Sequence, residues 1–194
     1  MNPFPDSIKG ARVMVFVDGE NLAIRYGCVL GGKAPLPHVE YEPDVFVWSK
    51  LLNMQHHVSC EVTRCHYYTS VPGDKERKDQ IHDKLQAMDI QAPRVFHRDK
   101  LRGSKQVDVS LTVEMLNHAY RNNYDVAVLV AGDGDYIPLV KAVMDSGHRV
   151  FLWFIDGGSS SLHGLSPALR RSVDYYYNLD TVLFNENAPR YFGQ

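Results

Sequence analysis

Three short runs of consecutive apolar residues punctuate the chain: VMVFV at 13–17, VAVLVA at 126–131 and VFLWFI at 150–155. They are rich in Val, Ile and Phe and do not alternate with polar residues. That pattern predicts strands covered on both faces, as in a parallel sheet. Between them lie helical patterns. Residues 44–55 follow a proline and carry apolar positions at helical spacing, and 74–88 form a charged amphipathic stretch with Asp74 as its cap. Residues 107–121 place Val107, Leu111, Met115 and Ala119 on one stripe. Residues 136–146 accept Pro138 in a first turn and stop at Gly147. Further strands are expected at 60–69, 92–97 and 173–177.

Strand and helix therefore alternate, which predicts a single α/β domain over 11–180 with right-handed crossovers and a C-terminal extension at 181–194. Two segments break the pattern. Residues 27–43 hold three Gly and three Pro and are expected to be an irregular insertion or lid. Residues 156–164 (DGGSSSLHG) read as a flexible loop without the companions of a phosphate-gripping motif.

Composition narrows the picture only slightly. The 194 residues suit one domain, and 44% hydrophobic with 23% charged residues is ordinary for a globular protein. A formal net charge of −2 excludes a histone-like binder but not a local basic path. The first ten residues lack a signal-peptide core, and no apolar run is long enough to span a bilayer. Three cysteines, an odd number, point to a reducing cytoplasm. Cys60 and Cys65 read as small hydrophobes on opposite faces of one strand, not as a metal site.

The candidate chemistry lies where the strands end. The first run leads directly into Asp18-Gly19-Glu20-Asn21, and the run at 126–131 into Gly132-Asp133-Gly134-Asp135. In open parallel sheets ligands sit beyond the carboxyl ends of the strands. The flanking glycines are expected to leave the backbone open to a ligand. Asp108 opens the helix at 107–121, where an acid is favoured in any case, and Asp135 could serve as a helix cap. Asp18 and Asp133 have weaker structural explanations, because a carboxylate at the end of a buried strand costs desolvation unless paired. Carboxylates gathered at one place repel one another unless a cation holds them. Hard divalent cations such as Mg²⁺ or Mn²⁺ fit oxygen donors of this kind, which makes metal-assisted phosphodiester hydrolysis the natural reaction class.

VFVDGENL (15–22), KQVDVSLTVEML (105–116) and LVAGDGDYIPLV (129–140), followed by GHRV (147–150), resemble the NYN domain family of PIN-like, LabA-like nucleases. The resemblance covers about residues 11–180. It implies a PIN-like three-layer fold, a central mainly parallel sheet flanked by helices, and a metal-dependent ribonuclease. It implies Asp18, Asp108, Asp133 and Asp135 as metal ligands and catalytic acids. Asn21 would orient a ligand or the substrate, and Lys105 would face a phosphate. Tyr136 stands where the family commonly has Phe, Gln106 where it often has Gly, and Ala131 where it often has Ser. Glu114 matches a family acid six residues after Asp108, but roughly 600° of helix rotation turns it away from that residue. It is read as supporting, and Asp174 as structural.

From Arg94 to Lys105 the chain carries Arg94, Arg98, Lys100, Arg102 and Lys105 against Asp99, a local excess of basic charge beside the site. Arg98, Lys100 and Arg102 are the candidate phosphate contacts for single-stranded RNA, with Phe96 and His97 available for stacking. The nine histidines show no ligand spacing, so none is assigned to catalysis. A haloacid-dehalogenase-like phosphatase fits poorly, because no second Asp follows Asp18 by two residues. The alternative from a different class is an RNA- or protein-binding regulator on the same fold with little catalysis. A homodimer and a protein regulator stay open as partners.

Overall fold

The computed structural model describes residues 4–53, 60–98, 105–157 and 164–192. The first apolar run forms β1 (Arg12–Asp18), whose residues alternate between two cores. Val13, Val15 and Val17 face one side, and Met14 and Phe16 the other. β1 runs into α1 (Gly19–Leu30), which ends at Gly31 in the left-handed region at φ 60°. A small antiparallel pair follows, β2 (Glu40–Glu42) and β3 (Phe46–Trp48). Then come β4 (Glu61–Val71), α2 (Lys75–Ala87) and β5 (Ala92–His97). The second half supplies α3 (Lys105–Tyr120), β6 (Val126–Val130), α4 (Ile137–Asp145) and β7 (Arg149–Phe154). It closes with α5 (Pro167–Arg171), β8 (Tyr175–Asn178), α6 (Asp180–Leu183) and α7 (Ala188–Phe192).

Six strands form one parallel sheet in the order β5-β4-β1-β6-β7-β8. One face is covered by α1, α2, the β2–β3 pair and α6, through Leu22, Tyr26, Ile81, Trp48 and Val182 among others. The opposite face is covered by α3, α4 and α5, through Leu111, Met115, Val140 and Leu169. This is the expected three-layer α/β arrangement. The chain steps outward from β1 to β4 and β5, then returns to β6 on the other side of β1. The direction of winding reverses between β1 and β6, and at such a switch point a crevice opens at the carboxyl ends of the strands.

Several expectations need correction. The helix expected at 44–55 is instead β3 and a 3-10 turn at Lys50–Leu52. Phe46, Val47 and Trp48 are buried in succession, and the Tyr67 hydroxyl bonds both the N–H and the C=O of Val47, at 3.1 and 3.0 Å. That tertiary pinning overrides the helical spacing. The irregular stretch is shorter than 27–43, because α1 continues to Leu30 and β2 begins at Glu40. Cys60 and Cys65 pack toward the same core, since a register shift between Val13 and Met14 breaks the alternation of β4. Within the C-terminal extension Val182, Leu183 and Ala188 are fully buried. No helix among the described residues is long and apolar enough to cross a membrane.

Candidate active site

Asp18 ends β1 opposite Tyr68 of β4 and also caps α1. Its Oδ1 accepts the Asn21 N–H at 3.0 Å, and its Oδ2 accepts from the Tyr136 hydroxyl at 2.9 Å. The residue is 4% exposed. Burial, with the nearby negative charge of Asp108, pushes its carboxyl up to about 7 against the lowering effect of its hydrogen bonds.

Asp108 lies in the first turn of α3, and its Oδ1 is 3.1 Å from the same Tyr136 hydroxyl. Partial desolvation of its carboxylate and the charges of Asp133 and Asp135 raise its carboxyl as well, against the lowering bond from Tyr136. Asp133 follows β6 and caps the 3-10 turn Gly134–Tyr136 by accepting the Asp135 N–H at 3.0 Å. Asp133, and not Asp135, is thus the capping acid of this loop. Both are exposed.

The two acidic loops are bound together by neutral groups. Asn21 Oδ1 accepts the Gly132 N–H at 2.8 Å, so this side chain braces the end of β6 against the start of α1. Gly19 and Gly132 serve the core more than a ligand. A Cβ on Gly19 would come 2.0 Å from the Tyr67 ring, and one on Gly132 would come 2.3 Å from the Phe154 ring. The expectation that these glycines leave room for a ligand gives way to close packing of backbone on aromatic rings.

Of the basic path, Lys105 is the first residue of α3, while Lys100 and Arg102 lie outside the described residues. Arg98 is held in place: Nε donates to Ser70 Oγ at 2.9 Å, Nη2 to the Ser70 and Asp44 carbonyls, and the guanidinium pairs with Glu20 at 3.3 Å. Arg94 pairs with Glu114 at 3.0 Å. Arg94 and Arg98, the cations of this stretch whose side chains are described, thus both have carboxylate partners. Glu114 also accepts from the Tyr68 hydroxyl at 2.8 Å and lies 3.2 Å from His66 Nδ1. Burial pushes its carboxyl up, but the bonds from Arg94 and Tyr68 outweigh that and hold it below its usual range. Burial lowers His66 to about 4, so this core histidine is neutral at ordinary pH. Asp174 accepts the Val150 N–H at 2.8 Å near the start of β7, at the far end of the sheet, as a structural acid would.

Tyr136, Glu20 and Ser70 join the site without having been expected there. Tyr136 directly follows the GDGD motif and departs from the family residue, which is the signal that could have found it; nothing local marks Ser70. A cleft of about 750 Å³ opens at the opposite end, among Lys9, Tyr120, His148 and Arg149. α3 and α4 end there, and helix C-termini disfavour an anionic ligand. The carboxylate end is therefore the better candidate.

A divalent cation can be tested against this donor set. Among the described residues no three His, Cys, Asp or Glu side chains meet as one metal-holding group. Mg²⁺, however, commonly uses one or two carboxylates and completes its shell with water and substrate phosphate. Asp18 and Asp108, converging on one hydroxyl, fit such a site, with Asp133 and Asp135 near enough to act on Asp108 through their charge.

A parallel sheet with helices on both faces and acids at its switch point defines the class as a three-layer α/β protein with an acidic candidate site. Comparison with known families matches the NYN domain over residues 12–180, and the chain belongs to that family. NYN domains have a PIN-like fold, are generally nucleases and typically depend on a divalent metal. No curated protein matches the chain. Among solved structures, a protein of unknown function from Vibrio parahaemolyticus is similar in fold, with a TM-score of 0.62 and 18% identity over 91% of this chain and 97% of that one.

Proposed function

We propose that the protein is a divalent-metal-dependent ribonuclease that hydrolyses phosphodiester bonds of single-stranded RNA. The observation that carries this reading is the convergence of Asp18 and Asp108 on the Tyr136 hydroxyl at the switch point of the sheet, with Asp133 and Asp135 alongside. Asp18, Asp108, Asp133 and Asp135 are the acidic set that would hold Mg²⁺ or Mn²⁺. Such an ion supplies a more acidic water and neutralises charge at the leaving oxygen. Asp18, fixed at both oxygens, and Asp108 set the position of the site. Asn21 keeps the loop carrying Asp133 and Asp135 in register with them. Arg98, Lys100, Arg102 and Lys105 would steer the phosphate backbone without reading sequence.

The test is cleavage of labelled single-stranded RNA and DNA with Mg²⁺, Mn²⁺ or EDTA, using Asp133→Asn as control. RNA cleavage that needs the metal and is lost in the variant is the expected result. Equal activity of both proteins, or activity in EDTA, overturns the assignment. The lack of a three-acid group among the described residues favours the second reading, a binding regulator on this fold. RNA binding without cleavage, together with no Mn²⁺ uptake by calorimetry, would establish it.

A further inference from the structure

The phenol of Tyr136 sits where three chain segments meet. Its backbone belongs to the 3-10 turn Gly134–Tyr136 that follows β6, and its ring is 4% exposed. Its hydroxyl reaches the acid at the end of β1 and the acid in the first turn of α3, at 2.9 and 3.1 Å. The two acids differ in how else they are held. Asp18 is buried and has its second oxygen on the Asn21 N–H. Asp108 is exposed, and the hydroxyl is the one hydrogen-bond partner of its carboxylate among the described residues. An exposed Asp side chain keeps its rotamer freedom unless something fixes it, and the like charges of Asp133 and Asp135 disfavour a charged carboxylate beside them. One hydroxyl hydrogen also serves two carboxylates, so negative charge remains at the junction for a cation to meet.

We propose that Tyr136 is a positioning residue: its hydroxyl holds the Asp108 carboxylate against Asp18, so that the two present a ready site to one divalent cation. The proposal rests on the metal-dependent reading above and adds to it a residue that touches neither substrate nor reacting atoms. Groups that orient metal ligands in this way typically contribute about 10–100-fold to metal affinity. Phe is the natural probe, because it keeps the buried ring and removes only the oxygen.

The experiment is Mn²⁺ titration calorimetry on the full chain, comparing wild type, Tyr136→Phe and Asp108→Asn, with circular dichroism to confirm that each is folded. The Phe variant is expected to bind Mn²⁺ about 10–100-fold more weakly. The Mn²⁺ concentration for half-maximal RNA cleavage should rise by the same factor, a shift that loosened packing alone would not produce. Affinity in the Phe variant within twofold of wild type, or tighter, overturns the positioning role while leaving the metal site intact. Undiminished binding in Asp108→Asn, or no binding by wild type, overturns the metal reading itself and this proposal with it.

Discussion

Replacing Asp18 with Asn should make the metal-free protein more stable while abolishing the RNA cleavage proposed above. Burial raises the Asp18 carboxyl from an ordinary 3.8 to about 7. The folded state therefore holds the proton more tightly than the unfolded chain, and metal-free stability falls as pH rises through the window from about 4 to about 7. About three pH units at roughly 1.4 kcal/mol each come to about 4 kcal/mol above pH 7. Asn carries no charge, and the hydrogen bonds can be kept. Its Oδ1 accepts the Asn21 N–H as Asp18 does, its Nδ2 donates to the Tyr136 oxygen, and the Tyr136 hydroxyl then donates to Asp108. Urea denaturation in EDTA at pH 4 and pH 8 measures the effect. Asp18→Asn should be nearly as stable as wild type at pH 4 and about 4 kcal/mol more stable at pH 8. Wild type should recover much of the difference on adding Mn²⁺, and the variant should not. A variant less stable than wild type at pH 8 would refute the claim that Asp18 is a destabilising charge kept for function.

Gly132→Ala places a Cβ 2.3 Å from the buried Phe154 ring and should cost about 1–3 kcal/mol, read from its urea midpoint; a neutral result would show that the loop after β6 gives way freely. Neutralising Lys100 and Arg102 in the Asp133→Asn background should weaken RNA binding and lower its salt slope by about 0.7 for each phosphate no longer neutralised. An unchanged slope would place the RNA path elsewhere.

The sheet and its acids were legible because they rest on local signals. Unbroken apolar runs marked β1, β6 and β7, and the Val107, Leu111, Met115 and Ala119 stripe marked the buried side of α3. The β2–β3 pair was not legible. Its strand Phe46–Trp48 is fixed by the hydroxyl of Tyr67, a residue 20 positions away from Val47, and no local pattern reports such a partner. The partners of two residues in the basic stretch were hidden for the same reason. Arg94 and Arg98 look free in sequence, yet Glu114 and Glu20 reach them from α3 and α1. Tyr136 was visible as a departure from the family residue, but its reach to Asp18 spans 118 positions and only the fold reveals it.

These pairings also sort the acids into two kinds, and the sorting bears on function. Glu20 and Glu114 flank the site, and each has an arginine of this chain for a partner. Asp18, Asp108, Asp133 and Asp135 lie at the centre, and among the described residues none of them forms an ion pair. Neutral groups hold them in place instead: the Asn21 amide, the Tyr136 hydroxyl and the backbone of their own turns. A protein that needed these carboxylates only as surface charge or helix caps would have no reason to bury one and raise its pKa. Placing Arg98 or Arg94 beside them would have relieved the repulsion. Among the described residues Arg94 and Arg98 go to the flanks, while the centre stays anionic and braced. Among the described residues no cation of the chain balances these acids, an arrangement that would suit a divalent cation.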